Sequence, residues 1–453
     1  MPARRHASLT VLALCWAAVF FDGFDVMVYG AGLPYMLDDT SFGLDARTAG
    51  TIGSWTTLGM LLGALGCGSL TDGLGRRPVL VGCVLAFSVG SGVCAVAGSV
   101  GVFGAGRFLT GIGLGGLIPV CLAVVAEFTP AARVPLATGI LMSAYHAGGM
   151  TATGVGLWLA PGHGWRWAFA AGVLPAVVAV PLLLRFLPES PGVLWATGRR
   201  RKAAETALAY GLPDPAAGPG GAGPGGAARG GAEPGRSGGR LRAVAALVGR
   251  EHRAATLLLW LASACGLMLV YGLSTWLPQL MRASGYGLGS SVGFLMAVNA
   301  GGIAGMLLAG WVASRFGAVP VAGTWFALTS VSLLLLSVRM PVPVTYVLVT
   351  VTGTWLYSAS TMVYAVAGGF YPAALRAPGL GWVAGVGRLG AVLSPWLGGF
   401  LLSRGHGAWG FPVFAAAGVV GAVAVVLSRL VRRGPVPDGA PGAREAGRAA
   451  RTA

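Results

Sequence analysis

Long apolar runs separated by short, mostly basic turns dominate the chain. Each run lasts about 20 residues or more, the length an α-helix needs to cross hydrocarbon. None shows the strict alternation of a membrane β-strand. The pattern places spans at 10–36, 48–69, 79–99, 101–124, 134–159 and 167–187. After a long interruption six more follow, at 254–281, 290–313, 318–338, 342–368, 378–402 and 408–430. It predicts an all-α polytopic membrane protein with twelve transmembrane helices in two six-helix bundles. The interruption contains GLPDPAAGPGGAGPGGAARGGAEPGRSGG, which has too little apolar surface to build a core. The expected organisation is a bundle over 1–190, a cytoplasmic Gly/Pro-rich tether over 191–252, a second bundle over 253–431 and a disordered cytoplasmic tail over 432–453.

Composition agrees with the pattern. Only 10% of the 453 residues are charged and 55% are hydrophobic, against about 25% charged in a soluble domain. The net charge of +17 changes the picture only through its placement. Of 31 Lys and Arg, 24 lie at the N-terminus, in the even-numbered loops with their adjoining helix ends, and in the tail. That asymmetry puts both termini on the cytoplasmic side and makes the charge a statement of topology, not of nucleic-acid affinity. The basic, apolar start MPARRHASLTVLALCWAAVFF resembles a signal peptide, but its apolar run is too long, and it is read as an uncleaved first span. Cys15, Cys67, Cys83, Cys94, Cys121 and Cys265 all lie in apolar runs without metal-site spacing, and read as small packing residues.

Against this background the few intramembrane charges stand out. Asp22 and Asp25, in FDGFDVMVYGAGLP, sit three residues apart on nearly one side of the first span. A carboxylate at mid-bilayer costs about 2.5–3.5 kcal/mol even on the lenient insertion scale. A proton relieves both that cost and the repulsion between neighbours, so the pair is the candidate proton-coupling site; a structural ion pair with an arginine is the other reading. No Asp or Glu occurs between Glu251 and Asp438, which leaves the second bundle without a carboxylate. Arg107 lies at a depth where it can answer the aspartates. Arg388, near the middle of the eleventh span, has no acid in its own bundle, and a guanidinium cannot shed its charge. A transported anion held in its fork is one complement; backbone carbonyls or water at a helix crossing are the other. His146, mid-way along the fifth span, is either a participant or a hydrogen-bonded packing residue. Tyr29, Tyr145, Trp276, Asn299, Tyr364 and Trp382 are candidates for lining an aromatic-binding cavity, or else interfacial anchors. GIGLGG at 111–116 imitates a dinucleotide loop, yet it sits mid-span with no preceding strand and reads as close helix packing.

Between the second and third spans stands GSLTDGLGRRP, with Gly68, Asp72, Gly75, Arg76 and Arg77. A fainter copy, GWVASRFG, stands between the eighth and ninth. Asp72 can accept hydrogen bonds at a helix end, and Arg76 and Arg77 can bridge to Glu127 or to neighbouring carbonyls. In the copy Ser314 occupies the place where an acid often occurs, leaving Arg315 without a local partner. Such internal duplication is common in secondary transporters.

GSLTDGLGRR resembles the cytoplasmic-loop signature of the major facilitator superfamily. DGFDVMVYGAGLP, RFLTGIGLGGLIP, PES and YPAALRAPGLGWVAGVGRLGAVLSP together resemble the aromatic acid/proton symporter family, and the likeness covers nearly everything but the tether. The resemblance implies the major facilitator fold, with the loop residues as a latch that holds the inner gate in the outward-facing form. It implies a transporter of the cell membrane that uses the proton gradient and no cofactor. The reading that follows is proton-coupled import of a small organic anion, most simply an aromatic carboxylate, by a monomer in the lipid bilayer with no nucleic-acid partner. A proton-antiport exporter of a drug or metabolite shares the same parts, and a sugar porter leaves Arg388 unexplained. A sensor lacks an output domain, and an enzyme lacks any nucleophile–base or metal constellation.

Overall fold

The computed structural model describes residues 2–130, 133–212, 246–250 and 252–431; the side chains of residues 2–7, Ser69, Asp72, Ala373, Ala374 and Ala377 are outside that description. The predicted tail and most of the predicted tether therefore lie outside the described residues.

The described chain folds into helices joined by short turns. The first half contains α1 (Pro2–Asp38), α2 (Ala46–Leu74), α3 (Arg76–Ala95), α4 (Val100–Phe128) and α5 (Val134–His163). A broken sixth segment follows: α6 (Arg166–Ala170), a 3-10 turn (Ala171–Val173), α7 (Leu174–Val177) and α8 (Ala179–Phe186). The break coincides with Pro175, which withholds a backbone donor. It also coincides with Gly172, where an added Cβ would stand 2.8 Å from Ser91. Beyond α9 (Pro191–Ala196) and α10 (Arg200–Tyr210), the second half contains α11 (Arg253–Ala283), α12 (Leu288–Phe316), α13 (Ala318–Leu336), α14 (Val342–Phe370), α15 (Ala373–Ser403) and α16 (Gly410–Leu430).

One expectation needs correction. The tether does not begin as loose chain at 191, because residues 191–196 and 200–210 are helical. Ala203 and Ala207 are buried, and the Tyr210 ring meets Phe128 edge-on with centroids 5.0 Å apart. Of the twelve expected spans, nine meet the length and apolarity of a membrane-crossing helix among the described residues. The others, α2, α5 and α14, reach 29, 30 and 29 residues, but their Gly, Ser and Thr content dilutes their apolarity.

The helices segregate into two groups. In the first, α1 packs on α5, and α4 on α2 and α3. In the second, α11 packs on α15, α12 on α14, and α13 on α14 and α16. The groups meet along α2–α15, α5–α12 and α1–α11. Glycines let these seams close to backbone contact away from the basic loops. A Cβ on Gly30 would stand 1.9 Å from the Ser274 carbonyl oxygen, and one on Gly50 would stand 2.6 Å from that of Pro395. An ion pair, Asp38 Oδ2 to Arg282 Nη1 at 3.1 Å, joins the groups at the same end. In the adjoining loop, hydrogen bonds from the Ser41 hydroxyl and then the Trp165 indole hold the Asp39 carboxyl below the usual carboxylate range. Towards the basic loops, about five turns from Gly50 along α2 and about three turns from Pro395 along α15, Gly68 and Gly385 have nothing within 4 Å of a notional Cβ.

The α2–α15 seam has an unusual clasp. Ser54 of α2 donates its hydroxyl to the Val392 carbonyl (2.6 Å) and accepts the Trp396 N–H (3.1 Å), both on α15. Those two groups are the i and i+4 partners of an uninterrupted helix, and they flank Pro395, whose own carbonyl accepts from Trp276 Nε1 at 2.8 Å. A side chain of one group therefore sits in the hydrogen-bond ladder of the other, a recognised origin of helix bending.

Candidate functional site

Mid-way along α1, Gly23 separates the two aspartates, and its bare Cα explains their position. A Cβ there would lie 1.9 Å from the Tyr145 carbonyl oxygen, and one on Gly148 would lie 1.8 Å from that of Phe20, so α1 and α5 touch backbone to backbone. That close approach sinks both carboxyls; neither Asp22 nor Asp25 has any exposed surface.

Their fates differ. Asp25 Oδ2 stands 2.8 Å from Arg107 Nη1 of α4, with Arg107 only 2% exposed, and the Ser91 hydroxyl of α3 donates to Oδ1. The guanidinium is further enclosed by the rings of Tyr29 and Phe169, with centroids 5.2 and 5.9 Å away. Asp25 is thus saturated within its own bundle. Asp22 has neither oxygen in a hydrogen bond among the described residues, though both are buried. Its electrostatic neighbours are Asp25 and, from the other bundle, Arg388. A buried carboxyl without a partner is expensive, and a proton removes the cost.

Arg388 is presented by close packing of α15 on α11. A Cβ on Gly387 would meet the Ser263 hydroxyl at 2.2 Å, and one on Gly390 the Ala264 carbonyl oxygen at 1.9 Å. The Arg388 side chain is half-buried and makes no ion pair or hydrogen bond among the described residues. Its field reaches Asp22 and the phenols of Tyr145, Tyr271 and Tyr364. The acid and the base without bonded partners among the described residues thus belong to different bundles and lie within each other's field, among tyrosines.

The remaining predicted residues are distributed around this centre. His146 of α5 is wholly buried, with Nδ1 3.1 Å from Asn299 Oδ1 of α12 and its ring edge-on to Tyr357 of α14 at 4.5 Å. Tyr29 gives its hydroxyl to the Ala49 carbonyl (2.7 Å) and lies beside Arg107, with the structural pair and not with Arg388. Trp276 is fully buried at the clasp. Trp382 is 41% exposed and stacked on Trp260, centroids 5.6 Å apart. Tyr271, Tyr357 and Trp260 do not stand out in the sequence. One aromatic in an apolar span looks like another until the helices are packed.

The loop residues assemble around the turn between α2 and α3. Arg76 Nη2 pairs with Glu127 Oε1 at 2.8 Å, and the Arg77 guanidinium donates to the Leu184 carbonyl. Glu189, from PES, caps α3: it accepts the backbone N–H of Arg76 at 2.9 Å and of Arg77 at 3.2 Å, where a helix N-terminus favours an anion. Gly75 makes room for that carboxylate. Its φ is +99°, and a Cβ would stand 2.6 Å from Glu189 Oε2. Gly68 remains uncrowded, the Asp72 side chain is outside the described set, and Arg315 lies over the Trp311 ring at 4.2 Å. Sequence reasoning does not find Glu189 as the cap, although an acid closing the sixth span is a usable signal.

A sequence profile described as Major Facilitator Superfamily matches residues 15–321 and 289–453. The chain belongs to the major facilitator superfamily. Its relatives there include a gentisate transporter of Corynebacterium glutamicum, 32% identical over 427 residues that cover 93% of this chain and 88% of the relative. A benzoate transport protein of Acinetobacter baylyi is 33% identical, covering 87% and 83% respectively. The inward open conformation of the E. coli xylose transporter XylE superposes with a TM-score of 0.73 over 95% of this chain and 97% of that one; at 15% identity it shows the shared fold alone. The family resemblance read from the motifs is thereby established. This major facilitator is a multi-pass transporter of the cell membrane, not an enzyme.

Proposed function

We propose that the protein is a proton-coupled symporter that imports an aromatic carboxylate by alternating access, with Asp22 as the proton carrier and Arg388 as the anchor for the substrate carboxylate. The observation that carries this reading is that a buried acid without a hydrogen-bond partner and an arginine of the other bundle lie within each other's field. The relatives named for gentisate and benzoate support the substrate class. In this reading all twelve long segments span the bilayer, including α2, α5 and α14, and both termini are cytoplasmic. The monomer works without a cofactor. A proton on Asp22 and an aromatic monoanion on Arg388 make the loaded site neutral overall, which lowers the cost of closing it off from water. One proton moving with one monoanion is electroneutral, so the pH gradient and not the membrane potential drives uptake.

The test is uptake of labelled benzoate and hydroxybenzoates by the full chain in vesicles with an imposed pH gradient. Inward, gradient-dependent accumulation is expected; export, or transport indifferent to the gradient, contradicts the reading. Arg388→Lys keeps the charge but loses the two-pronged fork, and should raise the substrate KM at least about tenfold, as expected for about 1.4 kcal/mol of lost recognition.

Alternating access requires the tight α2–α15 seam to part. The Ser54 hydroxyl should then leave Val392 and Trp396, letting those backbone groups pair with each other. Ser54→Ala removes the clasp, lets Val392 and Trp396 pair directly, and should slow hydrogen exchange at the Trp396 amide while leaving α2 exchange unchanged. Unaltered Trp396 exchange would mean the clasp does not hold the seam.

A further inference from the structure

We infer that His146 determines specificity: its Nε2 accepts a hydrogen bond from a ring hydroxyl of the substrate, so that hydroxylated aromatic acids are selected over unsubstituted ones. The inference rests on the reading of Arg388 as the carboxylate anchor.

The hydrogen-bond bookkeeping around His146 permits one neutral form. Asn299 donates Nδ2–H to the Leu295 carbonyl at 2.8 Å, which turns its Oδ1 towards the imidazole. An amide oxygen can only accept, so His146 Nδ1 carries the proton and donates at 3.1 Å. Nε2 is then a bare lone pair. It is buried and has no hydrogen-bond partner among the described residues. Buried polar atoms are nearly always paired, and the exceptions mark places where a ligand or water completes the set. The ring is closely packed: a Cβ on Gly302 would stand 2.7 Å from its Cε1, and Tyr357 lies edge-on to it.

The location joins this acceptor to the transport site. His146 belongs to the first bundle, while Asn299, Gly302 and Tyr357 belong to the second, so the ring lies at the α5–α12 contact between the bundles. Tyr145, edge-on to His146 with centroids 5.5 Å apart, is in the fields of both Asp22 and Arg388. The two bundles thus present a cation lacking an acceptor and an acceptor lacking a donor. A carboxylate supplies the first need and a phenolic O–H the second. An aromatic acid bearing both satisfies the pair; benzoate leaves Nε2 bare. Sites built to bond a substrate hydroxyl discriminate strongly against analogues that lack it, because the protein atom is left unpaired.

The experiment compares pH-driven uptake by the full chain in proteoliposomes of benzoate, 3- and 4-hydroxybenzoate, and the donor-free 3- and 4-fluorobenzoates. At least one hydroxy isomer should exceed benzoate in kcat/KM by about tenfold or more, with its fluoro counterpart falling back to the benzoate level. His146→Leu should lower uptake of the favoured hydroxy isomer at least about tenfold more than uptake of benzoate. The fluoro series needs no substitution, so the comparison holds even if the Leu variant does not fold. Equal uptake of benzoate and both hydroxy isomers, or fluoro analogues as good as the hydroxy ones, overturns the role of His146 while leaving aromatic-acid symport intact. A folded Leu variant that keeps the wild-type ratio overturns it in the same way. Absence of pH-driven uptake for every acid overturns both readings together.

Discussion

Asp22→Asn should leave a folded transporter that has lost all proton-driven accumulation. An amide imitates the protonated acid permanently and removes an ionisable group that no described residue hydrogen-bonds, so the variant should be at least as heat-stable as the wild type. A proton crossing a one-unit pH gradient releases about 1.4 kcal/mol, enough for about tenfold accumulation of a coupled monoanion. In vesicles with such a gradient the wild type should approach that ratio and the variant should fall to unity. Exchange of internal for external substrate needs no net proton movement and should survive. Accumulation by the variant at the wild-type ratio would remove Asp22 from the coupling mechanism.

Asp25→Asn should behave in the opposite manner, as a folding defect. It leaves the Arg107 guanidinium, 2% exposed and enclosed by Tyr29 and Phe169, without its counter-charge. Breaking a buried pair by removing one partner typically costs about 3–5 kcal/mol. Thermal unfolding in detergent should move down markedly and the yield of folded protein should fall. Arg107→Gln introduced alongside removes the stranded charge and should recover most of that loss. Two neutral, similarly shaped side chains are usually tolerated where one unpaired ion is not. If Asp25→Asn instead unfolds like the wild type but cannot couple uptake to a pH gradient, the roles of the two aspartates are reversed.

The contrast between these residues marks how far the sequence can be read. Asp22 and Asp25 are visible as a pair because charge in an apolar span is rare, and Arg107 and Arg388 are visible for the same reason. Which acid belongs to which arginine is not visible. Three residues along a helix separate side chains by only about 60°, so both aspartates point in similar directions and have the same chemistry. The division comes from α3 and α4, which bring Ser91 and Arg107 to Asp25 and leave Asp22 to the seam. Tyr29, grouped from the sequence with possible cavity aromatics, belongs by the same packing to the Arg107 pair. Glu189 and Ser54 are harder still. Their partners are backbone groups on helices 112 and 342 residues away in the chain, and no side-chain pattern advertises a backbone atom.

Apolarity, the short basic turns and the scarcity of intramembrane charge were enough to determine an all-helical membrane transporter and to name its few candidate ionisable groups. These properties follow from the cost of placing polar atoms in hydrocarbon, which acts on each span separately and leaves its mark along the chain. Only the tertiary structure decided which of those groups are satisfied, which remain bare, and where the two bundles touch backbone to backbone. Satisfaction is a matter of ångströms between atoms on different helices. It is set where glycines such as Gly23, Gly50 and Gly390 allow backbones to touch, and helical periodicity does not encode that distance.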